Sequence, residues 1–176
     1  TSAPVLIAGY TLEMLLGEGL RLPLVVAISL IFWGIVLWMV DSKAASNHRG
    51  VEQVSFKTAI VMGFAQMLAL IPGTSRSGIT MIAGMDRGLT RTDASKFSFL
   101  MAIPVISAAG VYKLIDAVSE GAQESWLILM VGAVASFIAG LFAIRFLLEL
   151  VKRTSFKWFA GYRILLGVSL IVWLLI

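Results

Sequence analysis

The sequence predicts an all-α polytopic membrane protein, and three observations support that class. The 176 residues are 59% hydrophobic and 14% charged, with a mean hydropathy of +0.95, whereas soluble domains are nearer half apolar and a quarter charged. The apolar stretches are continuous rather than alternating, which favours helical spans over β-barrel strands. The basic residues lie between these stretches, so the net charge of +4 indicates membrane topology and is not a nucleic-acid signature.

Four apolar stretches are long enough for transmembrane helices, because a span needs about 20 residues. They are residues 22–40, 97–115, 126–148 and 158–176. Residues 3–16 are apolar but short, and we expect a partial span there. The immediate apolar start without Met predicts a fragment cut within or just before a membrane segment, and we expect residues 1–176 to form a single membrane domain. The absence of cysteine excludes disulfides, thiolate metal sites and cysteine nucleophiles.

Residues 58–85 contain two apolar arms that are each too short to cross a membrane. The connections on either side of this segment are basic, and the positive-inside rule places both on the cytoplasmic face. The segment must then enter and leave by one face, as a re-entrant helical hairpin. The three basic connections are residues 41–57, 86–96 and 149–157. The one connection without Lys or Arg is residues 116–125.

The turn between the two arms predicts a phosphate-binding site inside the membrane. Arg76 lies at membrane depth, where an arginine is costly, and its planar guanidinium suits phosphate oxygens. Small hydroxyl residues add hydrogen-bond donors, and glycines let backbone N–H groups approach an anion. The alternative is a structural Arg76 that caps helix carbonyls or pairs with a carboxylate. The neighbouring residues are Gly73, Thr74, Ser75, Ser77, Gly78 and Thr80.

Four polar residues outside the turn have simpler interpretations. Gln66 either lines the cavity or makes an interhelical hydrogen bond. His48, the only histidine, lies in a polar loop and is expected to be solvated. Arg145 and Arg163 lie close enough to helix ends to reach the membrane interface.

The segment Pro72-Gly73-Thr74-Ser75-Arg76-Ser77-Gly78-Ile79-Thr80 resembles the PGxSRSxxT motif of the undecaprenyl-diphosphate phosphatases, the bacitracin-resistance phosphatases of the bacterial cell envelope. Residues 94–104 and 153–163 resemble later segments of the same family, and the likeness runs from about Pro4 to Ile176. The resemblance implies hydrolysis of a C55 isoprenyl diphosphate to the monophosphate and phosphate. It also implies a multi-pass protein of the bacterial inner membrane, which recycles the lipid carrier for peptidoglycan synthesis.

The resemblance also implies roles for the turn and for partners. Arg76 and Ser75 would be catalytic, and the other members of the turn would bind the substrate phosphate: Gly73, Thr74, Ser77, Gly78 and Thr80. A divalent cation, Mg²⁺ or Ca²⁺, would assist. The expected partners are a polyprenyl diphosphate lipid, membrane lipids and a second copy in a homodimer, but no nucleic acid. The architecture would be one half of an inverted repeat with a re-entrant hairpin in each half.

One family motif is not matched in this chain. The family has a Glu-x-x-x-Glu run and a Pro-x-Ser-Ser-Thr-Gly-His turn in its amino-terminal half, and nothing here corresponds to either. We therefore expect the metal ligands in a missing amino-terminal repeat, none in this chain, and no activity from the isolated segment. Two alternatives remain open: half of a lipid-phosphate transporter or flippase that binds without cleaving, and a non-catalytic membrane scaffold.

Overall fold

A computed structural model describes residues 22–119 and 126–176 of the chain. The described residues form six α-helices, two short 3-10 turns (Val51–Gln53 and Leu68–Leu70) and no β-strand. The expected partial span at residues 3–16 lies outside the described residues, as do residues 120–125 of the connection without basic residues. The helices are α1 Pro23–Ala44, α2 Phe56–Met67, α3 Arg76–Asp86, α4 Arg91–Ser119, α5 Trp126–Arg153 and α6 Lys157–Leu175.

Four of these helices are long and apolar enough to cross a membrane, which confirms the all-α polytopic class. They are Pro23–Ala44, Arg91–Asp116, Trp126–Arg153 and Lys157–Leu175. Each overlaps one of the predicted spans, and the differences lie at the ends. Helix α4, for example, begins at Arg91 rather than near residue 97, because hydropathy marks where a chain becomes apolar and not where helical hydrogen bonding begins.

Helix α6 packs closely against α1 through glycines. A Cβ placed on Gly34 would lie 2.8 Å from Ile164 Cγ1, and one on Gly167 would lie 2.8 Å from the carbonyl oxygen of Ala27. Small residues at such contacts let membrane helices approach backbone to backbone. The contact at Gly34 also lies against Arg163, whose Cβ would be 3.5 Å from the added atom. The packing of α6 on α1 therefore fixes the position of Arg163.

Helices α2 and α3 form a hairpin whose two ends meet. The Arg49 N–H donates to the carbonyl of Gly88 at 3.3 Å, and the Thr90 N–H donates to the carbonyl of Arg49 at 3.1 Å. The Asn47 side-chain amide donates to the carbonyls of Met85 (2.7 Å) and Leu89 (3.0 Å). The chain therefore leaves and returns at one place around residues 58–85, as a re-entrant segment requires. Its position in the bilayer remains a prediction.

The three predicted cytoplasmic connections also meet in space, around one buried carboxylate. Asp41, at 0% exposure, accepts hydrogen bonds from Arg91 Nε at 2.5 Å and Arg91 Nη2 at 3.1 Å. Its carboxylate also accepts from the Ser155 hydroxyl at 2.5 Å. These three residues belong to the end of α1, the start of α4 and the turn between α5 and α6. A buried ion pair of this kind is satisfied only when its partners are held in place.

The buried core surrounds α3. Six residues of this helix are buried, among them Met81, Ile82 and Met85, and they pack in one cluster with Met62 of α2 and Leu37 of α1. Helix α5 differs, since none of its most apolar window is buried. Helix α3 is thus enclosed by protein, whereas α2 has an exposed apolar face at Phe56, Ile60 and Phe64, and most of α5 is exposed.

Candidate functional site

The turn between α2 and α3 rests directly on the backbone of α1. Gly73 has a φ of +85°, and a Cβ at this position would lie 2.6 Å from the carbonyl oxygen of Val26. Glycine is required on both counts, because other residues rarely adopt this conformation and have no room here. The Thr74 hydroxyl lies 2.9 Å from that of Ser29 on α1. The turn is therefore anchored to a membrane-spanning helix.

The amino terminus of α3 begins at the predicted phosphate-binding residues. Ser75 is the N-cap, and its hydroxyl accepts a hydrogen bond from the Gly78 N–H at 3.1 Å. The Ser75 and Ser77 hydroxyls are 3.3 Å apart. The first N–H groups of a helix lack intrahelical partners, and the helix dipole is positive at this end. Hydroxyl and N–H donors therefore converge where an anion binds most readily.

Arg76 is the first residue of α3 and is partly exposed. Within the described residues its guanidinium has no hydrogen-bond or ion-pair partner, so the structural alternative of a cap or a carboxylate pair is not realised there. Arg76 lines a cavity of about 540 Å³ together with Ser77 and Ser98, and the remaining walls are mostly apolar. The cavity thus has a cationic, polar part and an apolar part.

Thr80 lies beneath the turn rather than in it. The residue is 1% exposed, and its hydroxyl lies 2.6 Å from the Ser98 hydroxyl. The same oxygen is 3.0 Å from the carbonyl oxygen of Arg76 and 3.1 Å from that of Ser77. This geometry favours a supporting role for Thr80, since its hydroxyl is already engaged within the protein. A direct contact of Thr80 with phosphate remains a prediction.

Arg163 was expected to reach the membrane interface, and the structure directs it inward instead. Its Nη2 donates to the carbonyl of Gly73 at 2.9 Å, and its Nε is buried without a hydrogen-bond partner among the described residues. The prediction failed because distance from a helix end does not determine which way a side chain faces. The close contact of α6 with α1 turns Arg163 toward the turn. The available signal was a second arginine within an apolar span.

Two of the other polar residues can be compared with their interpretations. Gln66 is 1% exposed, and its Nε2 has no hydrogen-bond partner in the part of the chain that the structure describes. That nitrogen therefore makes no interhelical hydrogen bond there. His48 is exposed, as its position in a polar loop predicted. Arg145 is also exposed, on α5.

Sequence reasoning missed Ser29 and Ser98, which lie on α1 and α4. Both are buried, at 6% and 3% exposure. The Ser29 hydroxyl contacts that of Thr74, and the Ser98 hydroxyl contacts that of Thr80. Nothing local in the sequence distinguishes these serines from other serines in membrane helices.

The described residues do not fit a divalent cation. Residues 22–119 and 126–176 contain no group of three or more His, Cys, Asp or Glu side chains that could hold a metal ion. The turn presents guanidinium, hydroxyl and N–H groups, which are donors suited to anions, whereas hard cations require oxygen ligands. The buried carboxylate of Asp41 is engaged by Arg91 and Ser155.

The fold and the turn together define a class: polytopic α-helical membrane proteins with a Gly- and Ser-rich turn that carries an arginine at the tip of a short helical hairpin. Comparison with known families makes the assignment specific. Residues 1–169 match the family described as bacitracin resistance protein BacA, and the chain belongs to that family.

Curated relatives agree with this assignment. The chain is 39% identical over 170 residues to a protein of Chromohalobacter salexigens named undecaprenyl-diphosphatase, covering 97% of this chain and 64% of that protein. It is 44% identical over 177 residues to a protein of the same name from a Psychrobacter species, covering 97% of this chain and 62% of the relative. A Corynebacterium efficiens protein, also so named, is 42% identical over 175 residues, with 97% and 59% covered. The chain thus spans about three fifths of the length of these relatives.

Proposed function

We propose that this chain is the phosphate-binding half of an undecaprenyl-diphosphatase. The complete enzyme would hydrolyse a C55 isoprenyl diphosphate to the monophosphate and phosphate in the bacterial inner membrane, and so recycle the lipid carrier for peptidoglycan synthesis. The observation that carries the proposal is Arg76, which has no partner among the described residues and lies at the amino terminus of α3 in a cavity with apolar walls. The names of the relatives support the same activity.

Arg76 binds the oxygens of the phosphoryl group that is transferred. Negative charge is spread over these oxygens in the transition state, and a fixed guanidinium stabilises it without reorganisation. Ser75 and Ser77 lie on either side of Arg76 in the sequence, with hydroxyls 3.3 Å apart, and donate to the same group. Gly73 and Gly78 set the shape of the turn, and Thr80 supports it through Ser98.

The isoprenyl chain lies along α4. Four residues that line the cavity beside Arg76 belong to one face of this helix, because their spacing follows the helical repeat. These residues are Phe99, Ala102, Ile103 and Ile106. Their side chains contact the isoprenyl units nearest the diphosphate, so the polar part of the cavity takes the headgroup and the apolar part takes the chain.

The metal and the general base come from outside the described residues, in an amino-terminal repeat like that of the family. A divalent cation, Mg²⁺ or Ca²⁺, would neutralise charge on the diphosphate when bound. No carboxylate of the turn can take this role, because the turn contains none. The isolated chain is therefore inactive and binds its substrate only in part.

A transporter or flippase half is the second candidate. It is favoured by the hairpin whose ends meet at one place, since re-entrant segments and inverted repeats are typical of transporters. In that case the turn would bind an anionic headgroup without cleaving it.

The experiment that separates the candidates measures phosphate release and lipid binding together, in purified full-length protein. We expect phosphate release from undecaprenyl diphosphate, lost in Arg76→Ala and retained in the control Arg145→Ala, whose arginine is exposed on α5. Binding that depends on Arg76 without any phosphate release would favour transport. Binding that survives Arg76→Ala would favour a scaffold.

A further inference from the structure

A second arginine reaches the turn from α6 and is only partly used there. Arg163 donates one N–H of Nη2 to the carbonyl of Gly73, although a guanidinium carries five N–H donors. Its Nε is buried and has no acceptor among the described residues. Buried donors are nearly always paired with protein or water, so the described residues leave part of the hydrogen-bonding capacity of Arg163 unused.

Arg163 lines a small cavity that also reaches the amino terminus of α3. This cavity has a volume of about 110 Å³, and its polar lining consists of Arg163, Ser75, Ser77 and Gly78. A Cβ on Gly78 would lie 3.2 Å from Ser75 Oγ and 3.6 Å from Arg163 Nη1. Gly78 therefore lies between the Ser75 hydroxyl and the Arg163 guanidinium, and both groups line the same cavity.

The two cavities share one lining residue, Ser77. One is lined by Arg76 and the other by Arg163, and Ser77 lines both. Neither guanidinium has a carboxylate partner among the described residues. Two unneutralised arginines at one helix amino terminus favour a ligand with more than one anionic group.

We propose that Arg163 is a second phosphate-binding residue, which contacts one phosphate of a lipid diphosphate while Arg76 contacts the other. The inference rests on the proposed function, because it assigns the two phosphates of that substrate to the two cavities. Arg163 thereby makes the site selective for a diphosphate over a monophosphate. Its hydrogen bond to Gly73 holds the guanidinium in place and leaves Nη1 for the ligand.

The test uses full-length protein and two soluble probes, inorganic pyrophosphate and inorganic phosphate, whose Kd values are measured by calorimetry. In Arg163→Gln we expect the Kd for pyrophosphate to rise roughly tenfold or more, because a charge-assisted pair is lost. The Kd for phosphate should change less than about threefold, since Arg76 still binds it. The pyrophosphate effect should shrink at high salt, as expected of a direct charge contact. The control Arg145→Gln should leave both values unchanged.

An equal rise in both Kd values would overturn the inference, because a residue that only braces the turn weakens every anion alike. Unchanged values in a folded variant would overturn it as well. If Arg163→Gln does not fold, Arg163→Met removes the charge while suiting an apolar span, and the same change in the pyrophosphate-to-phosphate ratio is expected.

The inference and the proposed function fail in different ways. Wild-type protein that releases phosphate from lipid diphosphate, with a pyrophosphate preference that survives Arg163→Gln, would contradict the inference alone. Wild-type protein that shows no phosphate release would count against the proposed function.

Discussion

The α2–α3 hairpin and the α4–α5 pair are both apolar, yet they are stabilised in different ways. The hairpin helices are short and begin at serine caps, and α3 packs against α1 and α4. Helix α5 is long, and its most apolar window is entirely unburied. A long apolar helix satisfies its backbone hydrogen bonds internally and needs only lipid, whereas non-helical backbone at membrane depth persists only inside protein or beside water. The site lies in the region that depends on tertiary contacts.

The difference between the two regions predicts that one added methyl group is costly in the hairpin turn and tolerated on α5. Gly73→Ala places a Cβ 2.6 Å from the carbonyl oxygen of Val26 in a backbone conformation of φ +85°. Strain and overpacking should together cost about 2–5 kcal/mol and abolish activity. Gly140→Ala on α5 is the matched control, since nothing lies within 4 Å of its added Cβ.

The two variants can be compared by denaturant unfolding in detergent or lipid. Unfolding of Gly73→Ala and Gly140→Ala at the same denaturant concentration would contradict the claim that the turn depends on tertiary contacts more than α5 does.

A second pair of variants compares burial in the two regions with one residue type. Met62 on α2 is 0% exposed, and Met130 on α5 is 67% exposed. Met62→Ala should destabilise by about 2–5 kcal/mol because it leaves a cavity, while Met130→Ala should stay within about 0.5 kcal/mol. The midpoint of thermal or denaturant unfolding measures both. A cost for Met130→Ala as large as that for Met62→Ala would show that α5 is packed against protein.

The third prediction concerns membrane topology and not the stability of the protein. Cysteines placed at Ser46 and Thr92 should label from the cytoplasmic side, and one at Gln123 from the opposite side, because the positive-inside rule predicts that the basic connections are cytoplasmic. The chain offers a clean background, since it contains no cysteine. Labelling of Ser46 and Thr92 from opposite sides would mean that residues 58–85 cross the membrane, and the hairpin would not be re-entrant.

The part of the site that could be predicted from the sequence is the part that is local. Gly73, Ser75 and Arg76 lie within four residues, so spacing alone indicates a turn, a cap and a guanidinium together. Ser29, Ser98 and Arg163 come from three other helices, and only tertiary packing brings them to the turn. The four spans were predictable because length and hydropathy determine them, while their ends depend on hydrogen bonding that hydropathy does not report.

The role of Arg76 is best tested by Arg76→Lys in full-length protein, with kcat and KM measured on undecaprenyl diphosphate and folding checked by thermal unfolding. Lysine keeps the charge but loses the planar fork, so it binds the diphosphate as a point charge. We predict that kcat falls by roughly 10²–10³, the effect of losing one preorganised donor at an oxyanion, while KM changes less. Arg145→Lys serves as the control. A kcat within about threefold of wild type in well-folded Arg76→Lys would show that Arg76 is structural and would contradict its role as the phosphate-binding residue.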